Sequence, residues 1–345
     1  PEPEKGVKDT DIRITEQTTG FNWGSYATSL NNGTAYGKGQ RSDPNQQRFS
    51  VSYITGSHAL KVGMQSMFGR HYMVGYNNEA IQYTFRNGAP LSLMQWASPF
   101  EGTSKVRMLA FFLQDQWTVG RFTLSGGVRY DNFAGWNPAQ TRPGGRFVDA
   151  FEVPEVKNVP NYKDLTPRGG VAWDVFGNGK TAVKGSFGKY LASMGSGIAV
   201  ANLKSLQIGQ NATRTWTDGD GDFTPDCDLR AFTANGECGA LSTNNFGRPI
   251  VTTAFSPDMI TGWNRRPNNV QVSASVQQEL RPGVAVNVAY FRTSWGNFPA
   301  QVNELVAATD FGSYCVTAPT DARLPDGGGY QVCGNYDVNL NKFGQ

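Results

Sequence analysis

The side chains of this 345-residue chain that could hold a metal are concentrated in one segment. Aspartate alternates with glycine there, so several hard oxygens can converge on one point, as Ca²⁺ requires. The segment departs from an EF-hand, because its sixth position is Phe223 rather than glycine and its twelfth is Leu229 rather than glutamate. A solvated acidic loop is the alternative interpretation. The predicted Ca²⁺ ligands are Asp218, Asp220, Asp222, Asp226 and Asp228.

The four cysteines fall in two local pairs, each in a stretch rich in glycine, asparagine, aspartate and proline. Such pairs in loops are typical of disulfides formed outside the cytosol. A zinc site is the alternative, but the chain has no C-x-x-C spacing, and both histidines lie far away in sequence. The predicted disulfides are Cys227–Cys238 and Cys315–Cys333, and the first would fasten the aspartate-rich loop.

No motif indicates catalysis. His58 falls at a tight turn and His71 at the end of a predicted strand, and the chain has no G-x-S-x-G motif to supply a nucleophile. Residues 177–181 differ from a phosphate loop, because Asp174 stands where its first glycine belongs, and they join two predicted strands. We therefore expect no enzymatic activity.

The composition favours an all-β chain. Only 17% of residues are charged, against about 25% in a typical soluble domain, whereas glycine numbers 41 and aromatic residues reach 12%. The longest apolar run, 108–113, is far shorter than the roughly 18 residues that a membrane-spanning helix needs. Because 31 Lys and Arg stand against 28 Asp and Glu, we expect no nucleic-acid partner. A secreted protein and a transmembrane barrel both fit.

Apolar and polar residues alternate with a period of two, most clearly in 270–277. Short turns alternate with long links along the chain, notably 132–164 and 191–267. An outer-membrane barrel has this asymmetry, with short periplasmic turns and long outside loops, and its apolar face contacts acyl chains. We predict about ten strands, at 48–55, 59–70, 80–87, 90–97, 106–119, 121–131, 165–176, 180–190, 268–280 and 284–292. Tight turns are expected at 55–58, 87–89, 119–121, 177–179 and 281–283.

Aromatic residues cluster at the predicted strand ends, for example Trp117, Phe122 and Trp173 near the short turns and Tyr130 at the opposite end. Rings at two levels are typical of interfacial girdles, although aromatic residues favour the ends of any strand. The long link 191–267 carries further aromatic residues among asparagine, threonine and aspartate. They could contact a ligand or pack into a lid, and the sequence does not separate these two interpretations.

Two predicted hairpins resemble those of TonB-dependent outer-membrane receptors. The first comprises 112–117 (FLQDQW) and 124–131 (LSGGVRYD), and the second comprises 165–174 (LTPRGGVAWD) and 176–181 (FGNGKT). Their form is most similar to the Oar-like branch, large receptors with an N-terminal carboxypeptidase-regulatory-like domain. The cysteine loop after Trp216 also resembles that branch.

The resemblance implies a barrel of about 22 strands with a plug in its lumen, of which this chain supplies fewer than half. It implies residence in the bacterial outer membrane, contact with membrane lipid, and energy from TonB delivered through plug segments that we expect outside this chain. Extracellular loops would bind a solute such as a glycan, a peptide or a metal chelate. The residues expected to face the lumen are Lys61, Gln65, Arg86, Gln114, Arg129, Gln271 and Gln277.

The resulting division of the chain has three parts. We expect loop and partial strand in 1–47, barrel strands in 48–292 with the inserted extracellular loop 191–267, and in 293–345 an extracellular loop and the start of a further strand. Neither end resembles a natural terminus, so we expect an internal fragment. Two other functions stay open: a passive porin or structural outer-membrane protein, and a secreted all-β binding or adhesion module.

Overall fold

A computed structural model describes residues 8, 10–25 and 40–343. Part of the predicted region 1–47 therefore lies outside the described residues. The chain divides into two compact units, Pro1–Asn297 and Phe298–Gln345. Within the described ranges, no helix is both long and apolar enough to cross a membrane.

Short helical segments interrupt a chain that is otherwise strand and loop. They are α1 (Gly197–Ala201), α2 (Pro257–Ile260) and 3₁₀ turns at Asn78–Ala80, Ala308–Asp310, Pro325–Gly327 and Leu340–Lys342. The strands are β1 (Arg13–Glu16), β2 (Phe21–Trp23), β3 (Arg41–Thr55), β4 (His58–Gly75), β5 (Ile81–Arg86), β6 (Ala89–Trp96), β7 (Phe100–Val119), β8 (Phe122–Trp136), β9 (Gln140–Arg142), β10 (Phe151–Val153), β11 (Asn161–Asp174), β12 (Thr181–Leu191), β13 (Asn211–Thr215), β14 (Thr261–Trp263), β15 (Asn268–Arg281), β16 (Val284–Gly296), β17 (Phe311–Thr317) and β18 (Gln331–Val338).

Eight long strands form one antiparallel sheet, which we call the wall. Its order is β3-β4-β7-β8-β11-β12-β15-β16, so each strand pairs with the next wall strand along the chain. The short β14 adds in parallel to the link end of β11. Residues that are directly opposite each other on neighbouring strands share a face of the sheet. For example, Gln114 on β7 lies opposite Lys61 on β4 and opposite Gly127 on β8. The period-two pattern thus becomes one polar face and one apolar face.

The apolar face of the wall is exposed. Phe111, Trp173, Val272 and Val286 keep 47%, 37%, 43% and 46% of their side-chain surface accessible. A soluble sandwich would cover these residues with a second layer about 10 Å away. Together with the antiparallel order, this exposure confirms the predicted all-β fold class of a transmembrane-barrel segment.

The wall strands extend further than predicted at the end opposite the tight turns. The strand expected to start at residue 48 begins at Arg41, β4 ends at Gly75 rather than near 70, and β7 begins at Phe100 rather than 106. In these extensions β3 carries polar side chains on both faces, whereas β4 and β7 carry the buried Met73, Val74 and Phe100 among polar residues. The alternation therefore fades while backbone pairing continues.

The predicted strands 80–87 and 90–97 form, but placing them in the barrel was wrong. They are β5 and β6, which lie in a separate five-stranded sheet of order β13-β6-β5-β1-β2. Consequently, four of the five predicted short turns connect wall strands, whereas the turn at Asn87 and Gly88 does not. An alternating hairpin whose apolar side packs against protein has the same sequence pattern as one that faces lipid.

Links 76–99, 137–160 and 192–267, together with β1 and β2, form a second region that we call the cap. The three links leave the wall at the end opposite the tight turns, because successive connections in an antiparallel sheet alternate between its ends. The cap has its own apolar clusters around Trp216 and Phe246. A third cluster joins Trp96 and Leu203 of the cap to Met73 and Phe100 at the ends of wall strands β4 and β7. The burial of Trp216 and Phe246 favours the lid interpretation for these two aromatic residues of the long link.

The second unit is a hairpin, in which β17 pairs antiparallel with β18. The disulfide Cys315–Cys333 joins the two strands, and Cys227–Cys238 closes a loop of the cap. Both predicted disulfides are therefore present.

Candidate functional site

A cavity of about 810 Å³ opens on the polar face of the wall. It is bordered by residues of all eight wall strands and by the start of the link after β12. Four of the seven residues expected to face the lumen line it: Gln65, Gln114, Arg129 and Gln271. The cavity is polar because the register places amides, serines and arginines of successive strands side by side.

Lys61 and Gln277 share this polar face but lie outside the cavity. Lys61 is the register partner of Gln114, and Gln277 accepts a hydrogen bond of 3.1 Å from Lys184 Nζ. Arg86 is on β5 in the cap, where its Nε donates to Gln17 Oε1 at 2.8 Å. Its expected place among the barrel strands was therefore wrong, for the same reason as that of its hairpin.

Three arginines that line the cavity are each held by a carboxylate or an aromatic ring. Arg129 donates to the Asp131 carboxylate at 2.8 Å and to Gln65 Oε1 at 3.2 Å. Arg48 lies over the Phe112 ring at 5.6 Å, and Arg168 lies over Tyr190 at 4.5 Å. Sequence reasoning missed Arg48 and Arg168, although both occupy polar-face positions of the same alternation that identified Arg129.

A buried ion pair closes the cavity towards the cap. Arg266 Nε donates to Asp164 Oδ2 at 3.0 Å, and the two side chains are 5% and 0% exposed. Arg266 also lies over the Phe133 ring at 5.7 Å. Because an isolated buried charge is costly, each partner depends on the other. The pair joins the end of the long link 192–267 to β11, and the sequence offered no signal for it.

Arg142 holds the centre of the cap together. Its guanidinium donates to the backbone carbonyls of Ala97 and Ser205, and it lies over the rings of Phe100 and Phe151. Burial lowers the pKa of Arg142 to about 10, which leaves it protonated at neutral pH. Its contacts reach all three links that form the cap, so we read it as an anchor rather than as a ligand-binding group.

The structure brings together only three of the five predicted Ca²⁺ ligands. Carboxylate oxygens of Asp218, Asp220 and Asp222 lie within 4.8 Å of one another, a group to which Asp226 and Asp228 do not belong. Both oxygens of Asp218 accept backbone N–H groups of its own loop, from Gly221 at 2.8 Å and Phe223 at 3.2 Å. Asp228 Oδ1 caps the N–H of Arg230 at 2.9 Å. The calcium site stays a prediction.

Glu237 is the carboxylate of this loop that sequence reasoning missed. It accepts the backbone N–H groups of Gly219 and Asp226, the latter at 3.1 Å, and the indole N–H of Trp216 at 3.5 Å. These hydrogen bonds, that of Gly219 foremost, lower the pKa of Glu237. The neighbouring Cys227–Cys238 bridge fixes the turn that carries it. Glu237 thus organises the aspartate-rich loop from its far side.

The two histidines occupy separate places on the wall. His58 Nδ1 lies 2.6 Å from Asp115 Oδ2 near a tight turn, whereas His71 Nδ1 lies 2.7 Å from Ser42 Oγ near the cap end. One ring therefore has a carboxylate and the other has a hydroxyl. A Ser-His-Asp site needs both partners on one ring, and neither histidine has this arrangement in the described contacts.

Aromatic rings lie at both ends of the apolar face. At the turn end, Phe122 stacks on Trp173 with ring centroids 5.6 Å apart, and His58 stacks on Trp117 at 5.4 Å. At the cap end, Tyr130 meets Trp263 at 5.7 Å. Rings at these two levels, separated by aliphatic side chains, are the arrangement of a wall that crosses a bilayer.

The family comparison decides the class of protein. The family model described as outer membrane beta barrel domain matches residues 3–318. This chain belongs to that family. It is therefore a protein of the bacterial outer membrane, its apolar face contacts membrane lipid, and the secreted-module alternative is wrong.

Among solved structures, the chain is similar to the outer membrane transporter YddB from Escherichia coli, at 14% sequence identity and a TM-score of 0.46. The match covers 91% of this chain and 31% of YddB, so the chain spans about a third of that transporter's length. No curated protein matches the chain.

Proposed function

We propose that this outer-membrane barrel chain is part of a TonB-dependent receptor of the Oar-like branch. In this proposal, the cap binds a solute outside the cell, and the solute then passes through a plugged barrel along the polar face. The observation that carries the proposal is the cavity on that face, lined by amides and by arginines held in place, beneath a cap with its own core. The proposal assigns no catalytic step to the chain.

The edges of the wall support its place in a larger barrel. Among the described residues, β3 and β16 each have one strand neighbour, so each has a second row of backbone N–H and C=O groups to pair. In lipid these groups must be hydrogen-bonded within the protein. Additional strands on both sides would pair them and widen the lumen enough for a plug.

An exposed ring on the cap supports solute capture. Phe223 is 57% exposed, although Trp216 and Phe246 of the same link are buried. Phe223 lies in the aspartate-rich loop, where its backbone N–H donates to Asp218 Oδ2 at 3.2 Å. A ring beside polar groups suits the sugar face of a glycan, and it also suits a peptide or a metal chelate.

A passive porin is the competing function, and conductance of the full-length protein in planar bilayers separates the two. A plugged receptor should hold the current at the baseline under steady voltage and conduct only after denaturant displaces the plug. It should also coelute with the periplasmic domain of TonB. Stable open channels without denaturant, or no association with TonB, would favour the porin.

A further inference from the structure

Four adjacent strands of the wall carry a band of equal length on their apolar face. It covers Leu60–Phe68, Leu109–Trp117, Phe122–Tyr130 and Leu165–Trp173, with outward positions at every second residue. The one charged residue among these positions is Asp115, whose Oδ2 lies 2.6 Å from His58 Nδ1 near the turn end. Each stretch spans about 27 Å along its strand, at about 3.4 Å per residue. With the strand tilt of a barrel, this length suits a hydrocarbon layer.

At the cap end of this band, the next outward position is a cation on five of the eight wall strands. Each such residue lies two positions beyond the last apolar residue, and since side chains alternate, it shares the same face. We call this set the cation row: Arg70 after Phe68, Arg107 before Leu109, Lys163 before Leu165, Lys189 after Phe187 and Arg292 after Tyr290.

Few acidic groups offset these charges. Arg70 pairs with Asp43 at 2.8 Å, but its direct neighbour on β7 is a further cation, Lys105. In the described part of the chain, no carboxylate lies within 4.0 Å of the charged nitrogens of Arg107, Lys163, Lys189 or Arg292. Arg70 and Lys105 are like charges directly opposite each other, so this pair costs stability unless an anion meets it.

The turn end of the same face has no such row. The residues two positions beyond the band there are His58 on β4, Val119 on β7, Val175 after β11, Thr181 on β12 and Gln278 on β15. The charge asymmetry is therefore a property of one membrane surface. Cations that only kept the strand ends soluble would be expected at both ends of the apolar face.

We propose that the cation row binds the phosphate groups of glycolipids in the outer leaflet of the outer membrane. The row lies just above the hydrocarbon-facing band and at the cap end, which is where the headgroups of that leaflet are. Guanidinium and ammonium groups form strong charge-assisted hydrogen bonds with phosphate, and arginine can do so with two parallel bonds. The ring pair Tyr130–Trp263 supplies the interfacial contact at the same level.

The inference depends on membrane embedding and goes beyond the proposed transport function. A passive porin with this wall would bind the same lipid. A receptor without the phosphate contact would still transport its solute, so the two proposals fail in different experiments.

The test is the affinity of the full-length, detergent-purified protein for bis-phosphorylated lipid A in mixed micelles, against the same lipid after removal of both phosphates. The test variant is Arg107→Gln/Lys163→Gln/Lys189→Gln. The matched control, Arg121→Gln/Lys180→Gln, removes two cations of the tight turns. Migration of unheated samples in gels checks that each variant is folded.

The test variant should bind phosphorylated lipid A at least about tenfold more weakly than the wild type, whereas the control should stay within about twofold. Neither variant should change the binding of the dephosphorylated lipid. Equal affinity of wild type and test variant for phosphorylated lipid A overturns the inference.

A salt titration of the unmutated protein gives an independent answer if the test variant does not fold. Its affinity for phosphorylated lipid A should fall as ionic strength rises, because exposed charges are screened beyond about 10 Å at 0.1 M salt. Affinity that is independent of salt, or equal for the two lipids, overturns the inference as well.

Discussion

The wall and the cap use the same residue alternation against opposite surroundings. In the cap, Trp216 is 1% exposed and packs on Tyr83, with ring centroids 4.9 Å apart. In the wall, Trp173 is stacked at 5.6 Å on Phe122 and yet stays 37% exposed. The cap buries its rings against protein, whereas the wall presents them to lipid. A period of two therefore identifies strands but does not say which solvent meets their apolar side.

The polar side chains of the wall and of the cap also lie in different surroundings. The wall collects arginines and amides on its inner face, where Arg129, Asp131 and Gln65 bond to one another. The cap instead buries single polar side chains, such as Arg142, among its apolar clusters and satisfies them with backbone carbonyls. Substitutions should consequently change the stability of the protein by different amounts in the two regions.

The largest effect is expected where wall and cap meet. Asp164→Ala leaves Arg266 buried without its carboxylate, which should cost about 3–5 kcal/mol. The free energy of unfolding in urea, measured in micelles, checks this value. Asp321→Ala is the control, because Asp321 pairs with the 89% exposed Arg323. That exposed pair should contribute little to the free energy of unfolding, because solvent screens its charges. Similar losses in both variants would show that Asp164 and Arg266 are not a buried pair.

A comparable loss, confined to the cap, is expected for Trp216→Ala. Truncating a buried tryptophan costs about 3–5 kcal/mol. Hydrogen exchange should accelerate in β5, β6 and β13, while the wall amides stay protected. Phe223→Ala serves as the control because Phe223 is 57% exposed. Uniform loss of protection in wall and cap would mean that the two regions unfold as one.

Charge at the centre of the band should be costly on one face only. Ala274 lies on the apolar face of β15, and Ser273 lies on the polar face. Their register partners on β16, Tyr290 and Phe291, lie on the same two faces respectively. Ala274→Arg should make insertion into bilayers less favourable by about 2–4 kcal/mol. Ser273→Arg should change the free energy of insertion by less than about 1 kcal/mol. Equal penalties at these adjacent residues would contradict the assignment of faces.

The smallest effect is a pH dependence of the aspartate-rich loop. Hydrogen bonds lower the pKa of Glu237 in the folded protein below its ordinary value of 4.5. Its contribution is therefore present above that value and is lost as the pH falls through the lowered pKa. The protection factors of the Gly219 and Asp226 amides, which correct for the intrinsic pH dependence of exchange, should fall on acidification. Glu237→Gln should remove most of this acid sensitivity, and a variant that keeps it would assign the sensitivity to another carboxylate.

The wall could be predicted from the sequence because the outward residues of each strand contact the same hydrocarbon layer over about nine positions. The repeated alternation of apolar and polar residues, from Leu60 on β4 to Val276 on β15, follows from this contact. Four tight turns were predictable for the same reason, since they connect strands of similar length. The two disulfides followed from local cysteine spacing in loops.

Apart from the hairpin β5–β6, the cap could not be predicted, because its other strands are short and pair with partners far away in sequence. β6 pairs with β13 across more than a hundred residues, and β1 pairs in parallel with β5. The contacts of Arg142, Glu237 and the pair Arg266–Asp164 depend on this long-range folding. No spacing in the sequence indicates them.

The central claim is that alternate residues of the wall contact lipid. Spin labels placed singly at residues 270–277 of β15 test it most directly, by their collision rates with oxygen, which partitions into lipid, and with a water-soluble nickel chelate. Labels at Val270, Val272, Ala274 and Val276 should favour oxygen, and labels at Gln271, Ser273, Ser275 and Gln277 should favour the chelate. Collision rates without a period of two, or with the opposite phase, would contradict the account.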